Sequence, residues 1–339
     1  MRKIGFTALL LFLGLIAQSC KTRRAAVTEE YKKIQLVFLD GNDAAQALLD
    51  DGNEGFFKNI SAVDISIQLK RETPFKDQNE AVSAYRSFIK EEHTDFSNSD
   101  RQFLQNIFDS TSVKIGRLNQ ALVPNQIKLV KVKANHYGED VYYTRNGAIM
   151  IPQNIFSNLE VEKQLPVMLH EYWHILSKSN KKLRDKAYAL IGMKAHGKIV
   201  NLPPVLRNRI LTNPDGVTMD YAITLGNKEV LPILTSNEAI YRKTKPVFFD
   251  YINFDLYELD TEGKIVCDKT GKSTLTAEEH AAFFAQIKDN TQYIIHVDEI
   301  MADNFMLAVL ANDNNDFSKF SKEGKKLILD LIQVLKEEK

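Results

Sequence analysis

The chain is poor in cysteine, in tryptophan and in net charge. It holds two cysteines and one tryptophan in 339 residues. Only Cys267 lies beyond the first twenty positions, and one cysteine makes no intramolecular disulfide. The fold is therefore not stapled. With 44% apolar residues over this length, a sizeable core forms without staples or a metal. Cys267 itself, in KIVCD, reads as a strand residue. Lysine plus arginine equal aspartate plus glutamate at 44 each, which removes the case for a nucleic-acid partner. Internal repeats and low-complexity segments are absent, and long apolar runs are missing apart from one at the N-terminus.

That one run has the anatomy of a leader. MRK supplies a positive start, IGFTALLLFLGLIA the apolar stretch, and AQSC a small-residue end. The run is too short for a comfortable membrane span. Residues 1–19 are expected to be a signal peptide, and its ending on Cys20 resembles a bacterial lipoprotein signal, with Ala17-Gln18-Ser19 a loose version of the usual box. The resemblance implies cleavage before Cys20, lipidation of that cysteine, a polar tether over 20–34, and a lipid-anchored place in the cell envelope outside the cytoplasm. The alternative is ordinary cleavage nearby and an unmodified thiol.

Patterning predicts an α+β fold. Residues 35–120 read as mostly helical: NEAVSAYRSFIKEEH places Ala81, Ala84, Tyr85 and Ile89 near helical spacing. DRQFLQNIFDSTSVKIGRLNQAL does so with Phe103, Ile107, Val113 and Leu118, behind a cap at Asn98, Ser99 or Asp100. This region suits a cleft wall, a targeting module or an inhibitory prosegment processed near Lys70–Glu72. From about 121 to 339 a second region follows. QIKLVKVKA alternates as a half-buried strand would, and DVYYTRNGAIMIP forms a strand pair bent at RNG. LEVEKQLPVMLHEYWHILSKSN is helical, with Pro166 setting the start of its histidine-bearing part around Leu165. Residues 217–268 are rich in strand signals, with DTEG and DKTG as hairpin turns. Three helical segments end the chain, the first capped by Thr276.

The chemistry is concentrated in PVMLHEYWHILS. His170 and His174, four apart, share one helical face and can aim two imidazole nitrogens at one ion. Zinc suits such ligands, and a catalytic zinc takes three protein ligands and keeps a water. Glu171 stands where a general base could take that water's proton. Among apolar neighbours the pair is either a satisfied polar pair in a core or a metal site, and zinc is the expectation. Trp173, turned away from the metal face, is expected to pack in the core.

HEYWH resembles the HExxH zinc metallopeptidases. The continuation ILSKSNKKLRD lacks the glycine and third histidine of the metzincins, so the likeness is to the gluzincins, over about Val141 to Asn304. The chain also looks like a group of bacterial secreted proteins with no established substrate. The resemblance implies a zincin-like core: a small sheet, the active-site helix, and a later helix supplying a glutamate ligand, with YYTRNGAIMIP as the strand bordering the cleft. It implies Glu299 as third ligand and Asp303, four residues on, as the group orienting the first histidine. Glu238 and Asp215 are rivals for the ligand. Glu299 lies farther beyond His174 than in compact gluzincins, which calls for an inserted subdomain such as 217–268. An oxyanion donor is implied too, with Tyr221 as the candidate and Tyr241 and His296 as rivals.

The expected function is a membrane-anchored zinc metallopeptidase acting on a peptide or protein substrate, with Zn2+ on His170, His174 and Glu299 and with Glu171 as base. Two other readings stay open: a zinc amidohydrolase on cell-wall or other amides, and a non-catalytic, zinc-stabilised binding lipoprotein. The oligomeric state is not legible. An open cleft along Tyr143 to Ile151 favours extended peptides; a short blocked one favours an exopeptidase or a small amide.

Overall fold

The apolar run of QLVFL and the alternating QIKLVKV build the sheet on which the molecule is organised. The computed structural model describes residues 31–157 and 160–339; the expected signal peptide, Cys20 and most of the tether lie outside them. The first strand, β1 (Gln35–Leu39), is followed by helices α1 (Gly41–Leu49), α2 (Phe56–Asn59), α3 (Ala62–Gln68), α4 (Gln78–Lys90) and α5 (Asn98–Leu118). Strands β2 (Gln126–Val132), β3 (Tyr143–Arg145) and β4 (Ala148–Pro152) complete a sheet in the order β1-β2-β4-β3. β2 runs parallel to β1 and β4, while β3 is an antiparallel edge. The bend at RNG is a tight hairpin, with Asn146 at φ 50° and Gly147 at φ 76°, the left-handed pair that a two-residue hairpin of this twist requires.

Both faces of this sheet are covered. Ile127, Leu129, Ile149 and Ile151 point into one core; Val130, Val132, Ala148 and Met150 point into another, shared with α1 to α4. β2 is therefore not the half-buried strand its lysines suggest. Lys131 is accommodated by an ion pair with Asp100 at 2.8 Å. The N-terminal region is mostly helical, yet it opens with β1, which the helical expectation for 35–120 left out. The buried stripe of α5 runs through Phe103, Leu104, Ile107, Phe108, Thr111 and Ile115, and Val113 is only half-buried. Its cap is Ser97, in a reciprocal pair with Asp100, one position before the candidates read from sequence.

Helix α6 (Val161–Ser179) carries the histidines. It begins one turn earlier than expected, because Pro166 sits in its second turn and forfeits a single hydrogen bond rather than starting the helix. α7 (Lys181–Ala189) follows, then β5 (Met193–Ala195), α8 (Pro204–Arg207), β6 (Tyr221–Leu225), β7 (Lys228–Ser236), β8 (Ile252–Leu259) and β9 (Ile265–Val266). β5 to β9 form a wholly antiparallel second sheet in chain order. It holds the strand-rich 217–268 segment plus β5, which lies before it; Phe248–Tyr251, expected as strand, is a 3-10 turn. α9 (Ala277–Ile287), α10 (Val297–Asn314) and α11 (Lys322–Lys336) end the chain. α10 is apolar nearly all round, and Ile300, Met301, Phe305, Ala308 and Val309 bury it in the core that also holds α5 and α6. The fold is α+β. No helix among the described residues is long and apolar enough to cross a membrane.

The N-terminal helices also hold the loop beside the site. The Ser61 hydroxyl donates to the Ile210 carbonyl at 2.7 Å, and the buried Asp64 carboxylate accepts from Thr212 N at 2.8 Å and from Gln68 Nε2 at 2.8 Å. These contacts fix the start of the TNPDG segment.

Two outcomes follow. With β1 paired to β2 at one edge of the sheet and α5 against α6, deletion of residues 31–120 is expected to leave a chain with no cooperative thermal transition. A soluble, cooperatively melting remainder would instead mark the region as a removable prosegment. Burial, offset in part by the Thr212 and Gln68 hydrogen bonds, pushes the Asp64 carboxyl from an ordinary 3.8 up to about 7. The folded state then binds more protons than the unfolded chain between pH 4 and 7, so Asp64 withdraws a few kcal/mol of stability as pH rises through that window. Melting temperatures of wild type and Asp64→Asn at pH 5 and pH 8 check this: the wild type alone is expected to lose stability from this source.

Candidate metal centre

His170 and His174 point from one face of α6 toward the first turns of α10. His170 Nδ1 lies 2.8 Å from Asp303 Oδ1, and its Nε2 lies 3.0 Å from Glu299 Oε2. His174 Nδ1 lies 2.9 Å from Asp298 Oδ2, and its Nε2 lies 3.6 Å from the same Glu299 oxygen. Each imidazole thus gives its Nδ1–H to a carboxylate and turns its Nε2 to a common point at Glu299. His174 Nε2 is buried with no hydrogen-bond partner. Such an orphan is rare in a folded chain. The donor atoms of His170, His174 and Glu299 all lie within 4.8 Å of one another. Two imidazole nitrogens and one carboxylate oxygen, with both rings oriented by carboxylates, are a donor set that fits zinc.

The acidic residues around the ligands have distinct partners. Glu299 Oε1 accepts from Asn213 Nδ2 at 2.7 Å, which leaves Oε2 to the histidines. Asp298 accepts from Trp173 Nε1 at 2.8 Å, from Ser177 Oγ at 3.1 Å and from the Tyr188 hydroxyl. Burial works to raise its pKa, but the charge and hydrogen bond of His174, the Lys178 charge and the Tyr188 hydrogen bond outweigh it and bring the carboxyl down to about 2. Asp303 accepts from the Thr291 hydroxyl. Burial opposes the charge on His170 as well, yet hydrogen bonds to Asp303 and Glu299 raise it to about 10.

Glu171 is 3% exposed, and the Thr144 hydroxyl on β3 donates to its Oε2 at 2.8 Å. Desolvation pushes its pKa up, against the pull of the two histidines. A cleft of about 420 Å³ opens onto His170, Glu171 and Glu299, walled by Val141, Tyr142, Phe249 and Tyr293. Tyr293 lies against His170, with ring centroids 5.9 Å apart.

The structure brings His170, Glu171, His174, Glu299 and Asp303 together. Tyr221 is not among the residues lining the cleft: its hydroxyl donates to Asp185 at 2.5 Å, accepts from Arg184 at 3.0 Å, and its ring packs on Tyr188. Tyr241 is buried in the other core, and His296 caps α10 through Asp298 N. Glu238 pairs with Arg242 and Lys245 away from the histidines. Asp215 is in the cleft, its carboxylate near those of Glu171 and the His174 ring. Asp298, Asn213 and Tyr293 also belong to the site, though no motif in the sequence alone assigns them a role there. The available signal for Asp298 was Trp173-His174 followed by Ser177, a polar stripe on a helix that otherwise buries. Trp173 does pack in the core, 5.4 Å from the Phe305 ring, but it also donates to Asp298.

No family model, no curated protein and no solved structure matches the chain.

Replacing Asp298 by Asn removes the charge opposite His174 and keeps the volume. Zinc affinity, measured by competition with a chelator, is expected to fall roughly 10- to 100-fold. An unchanged affinity would mean that Asp298 does not orient the ligand.

Proposed function

We propose that the protein is a zinc-dependent hydrolase of peptide or related amide bonds, with His170, His174 and Glu299 as ligands and Glu171 as general base. The observation that carries the reading is the buried, unpartnered His174 Nε2 converging with His170 Nε2 on Glu299 beside a second, separately held glutamate. Zinc at this point supplies a Lewis acid and lowers the pKa of water. The chain's own residues do the rest. Asp303 and Asp298 hold the two rings in the tautomer that presents Nε2. Thr144 fixes the Glu171 carboxylate by one oxygen, leaving the other to take a proton from the attacking water and pass it to the leaving amine. Tyr293, which borders the cleft, replaces Tyr221 as the residue nearest the role of oxyanion donor. A purely structural zinc has no use for Glu171, which supports an enzyme over a zinc-stabilised binding protein. The general plan, HExxH on one helix and Glu299 with Asp303 on a later one, beside an antiparallel edge strand, supports the gluzincin likeness. Taken with the leader and Cys20, the proposal is of a lipid-anchored enzyme of the cell envelope.

Elemental analysis tests the site. Wild type is expected to carry about one zinc per chain, Glu299→Ala to lose it, and Glu238→Ala and Glu171→Gln to keep it. Glu171→Gln is expected to lower hydrolysis by about 100-fold or more. A wild type purified without zinc under metal-retaining conditions, or a Glu299→Ala variant that still holds it, would sink the assignment.

A further inference from the structure

An edge strand beside a hydrolytic site offers its outward N–H and C=O groups to an extended chain laid along it. On β3 the position next to the site is already taken. Thr144, whose hydroxyl holds Glu171, gives its N–H to the carboxylate of Asp215. Lys178 Nζ stands 3.4 Å from the Thr144 carbonyl. Asp215 is itself held in place: its N–H donates to Asn213 Oδ1 at 3.2 Å, and Asn213 is the residue that donates to Glu299. The residue is 5% exposed, and Thr144 N is the one hydrogen-bond donor to its carboxylate among the described residues. One carboxylate oxygen is spoken for and the other is left over, in a place where an unpaired charge is costly.

Resting on the hydrolase reading above, we propose that Asp215 closes one end of the cleft and receives the protonated amino group of the substrate. The enzyme then removes the first residue of peptides with a free amino end and an apolar first side chain. Three observations converge on this. The blocked Thr144 amide interrupts β-pairing with a chain that continues past the site. Carboxylate atoms of Asp215 and Glu171 and a ring nitrogen of His174 lie within 4.8 Å of one another. The α-amino nitrogen of a first residue is two bonds from its carbonyl carbon, so an amine on Asp215 leaves that carbonyl beside the ligands and the base. The charge of the cleft points the same way. It is lined by Asp140, Glu171, Asp215, Glu299 and Asp303, and among the described residues by no lysine or arginine. Neither lysine nor arginine beside the site is free for a terminal carboxylate: Lys178 is engaged by Glu54 and Thr144, and Arg145 is turned to the Leu48 carbonyl and the rings of Phe56 and Phe57. Val141, Val167, Phe249 and Met306 supply the apolar wall for the first side chain.

The recognition step can be read without turnover. The full-length, zinc-loaded chain in detergent is titrated calorimetrically with leucinol and with 4-methylpentan-1-ol, which differs by lacking the amino group. Leucinol is expected to bind at least about 10-fold more tightly to the wild type, and Asp215→Asn, with zinc retained, is expected to bring the two within about 2-fold. Equal binding of the two alcohols by the wild type overturns the proposal whether or not the variant folds, as does an undiminished preference in Asp215→Asn. In turnover, leucine 7-amido-4-methylcoumarin is expected to exceed its N-acetyl form at least about 10-fold in kcat/KM. Cleavage of the acetylated form, or of an end-blocked peptide, at an equal rate overturns it too. A zinc-bound chain that prefers leucinol through Asp215 yet hydrolyses neither amide would uphold the amine site and refute the hydrolase.

Discussion

A single buried carboxylate fixes the relation between the two helices that make the site. Asp298 accepts from Trp173, His174 and Ser177 on α6 and from Tyr188 on α7, while its own backbone N–H is capped by His296. A charge removed from water is tolerated only when its oxygens are saturated, and these four donors come from two helices other than its own. The first turn of α10 is thereby pinned over one face of α6, and the adjacent residue, Glu299, is delivered to the histidines. Asp303, one turn on, meets the other ring. The apolar packing of Phe305 on Tyr172 and Trp173 brings the helices together; the hydrogen bonds to Asp298 set their register.

The site was legible where spacing alone carries the chemistry. His170, Glu171 and His174 follow from helical period, and Glu299 with Asp303 from a likeness in motif. The groups that hold them were not, because they come from distant segments and from residue types with many bland uses. Asn213 reads as a turn residue, Tyr293 as an ordinary aromatic, and Asp298 as an acid suited to a helix start. Tyr221 shows the converse. A tyrosine in a strand near the motif is a natural donor by type, but its neighbours Arg184 and Asp185 on α7 claim its hydroxyl, which no local pattern reveals.

Fold class was legible in the same way, and details failed for physical reasons. Lysines in QIKLVKV suggest one wet face, yet Lys128 and Lys131 fall on opposite faces, Asp100 pairs Lys131, and apolar residues on both faces are buried. Proline in VEKQLPVML suggests a helix start, yet one lost hydrogen bond is minor inside a well-packed helix. β1 was unread because five residues beside a polar segment carry little signal until a parallel partner is found far along the chain.

That parallel pairing has a consequence for how the chain reaches its fold. β1 must close onto β2 across the five helices between them, and β4 must then join on the other side. A contact so distant in sequence is entropically late and slow to form. β1, the first strand among the described residues, is thus among the last to be secured. Until β2 arrives, its apolar residues and both of its hydrogen-bonding edges stay exposed, open to mispairing with other chains and to capture by a chaperone.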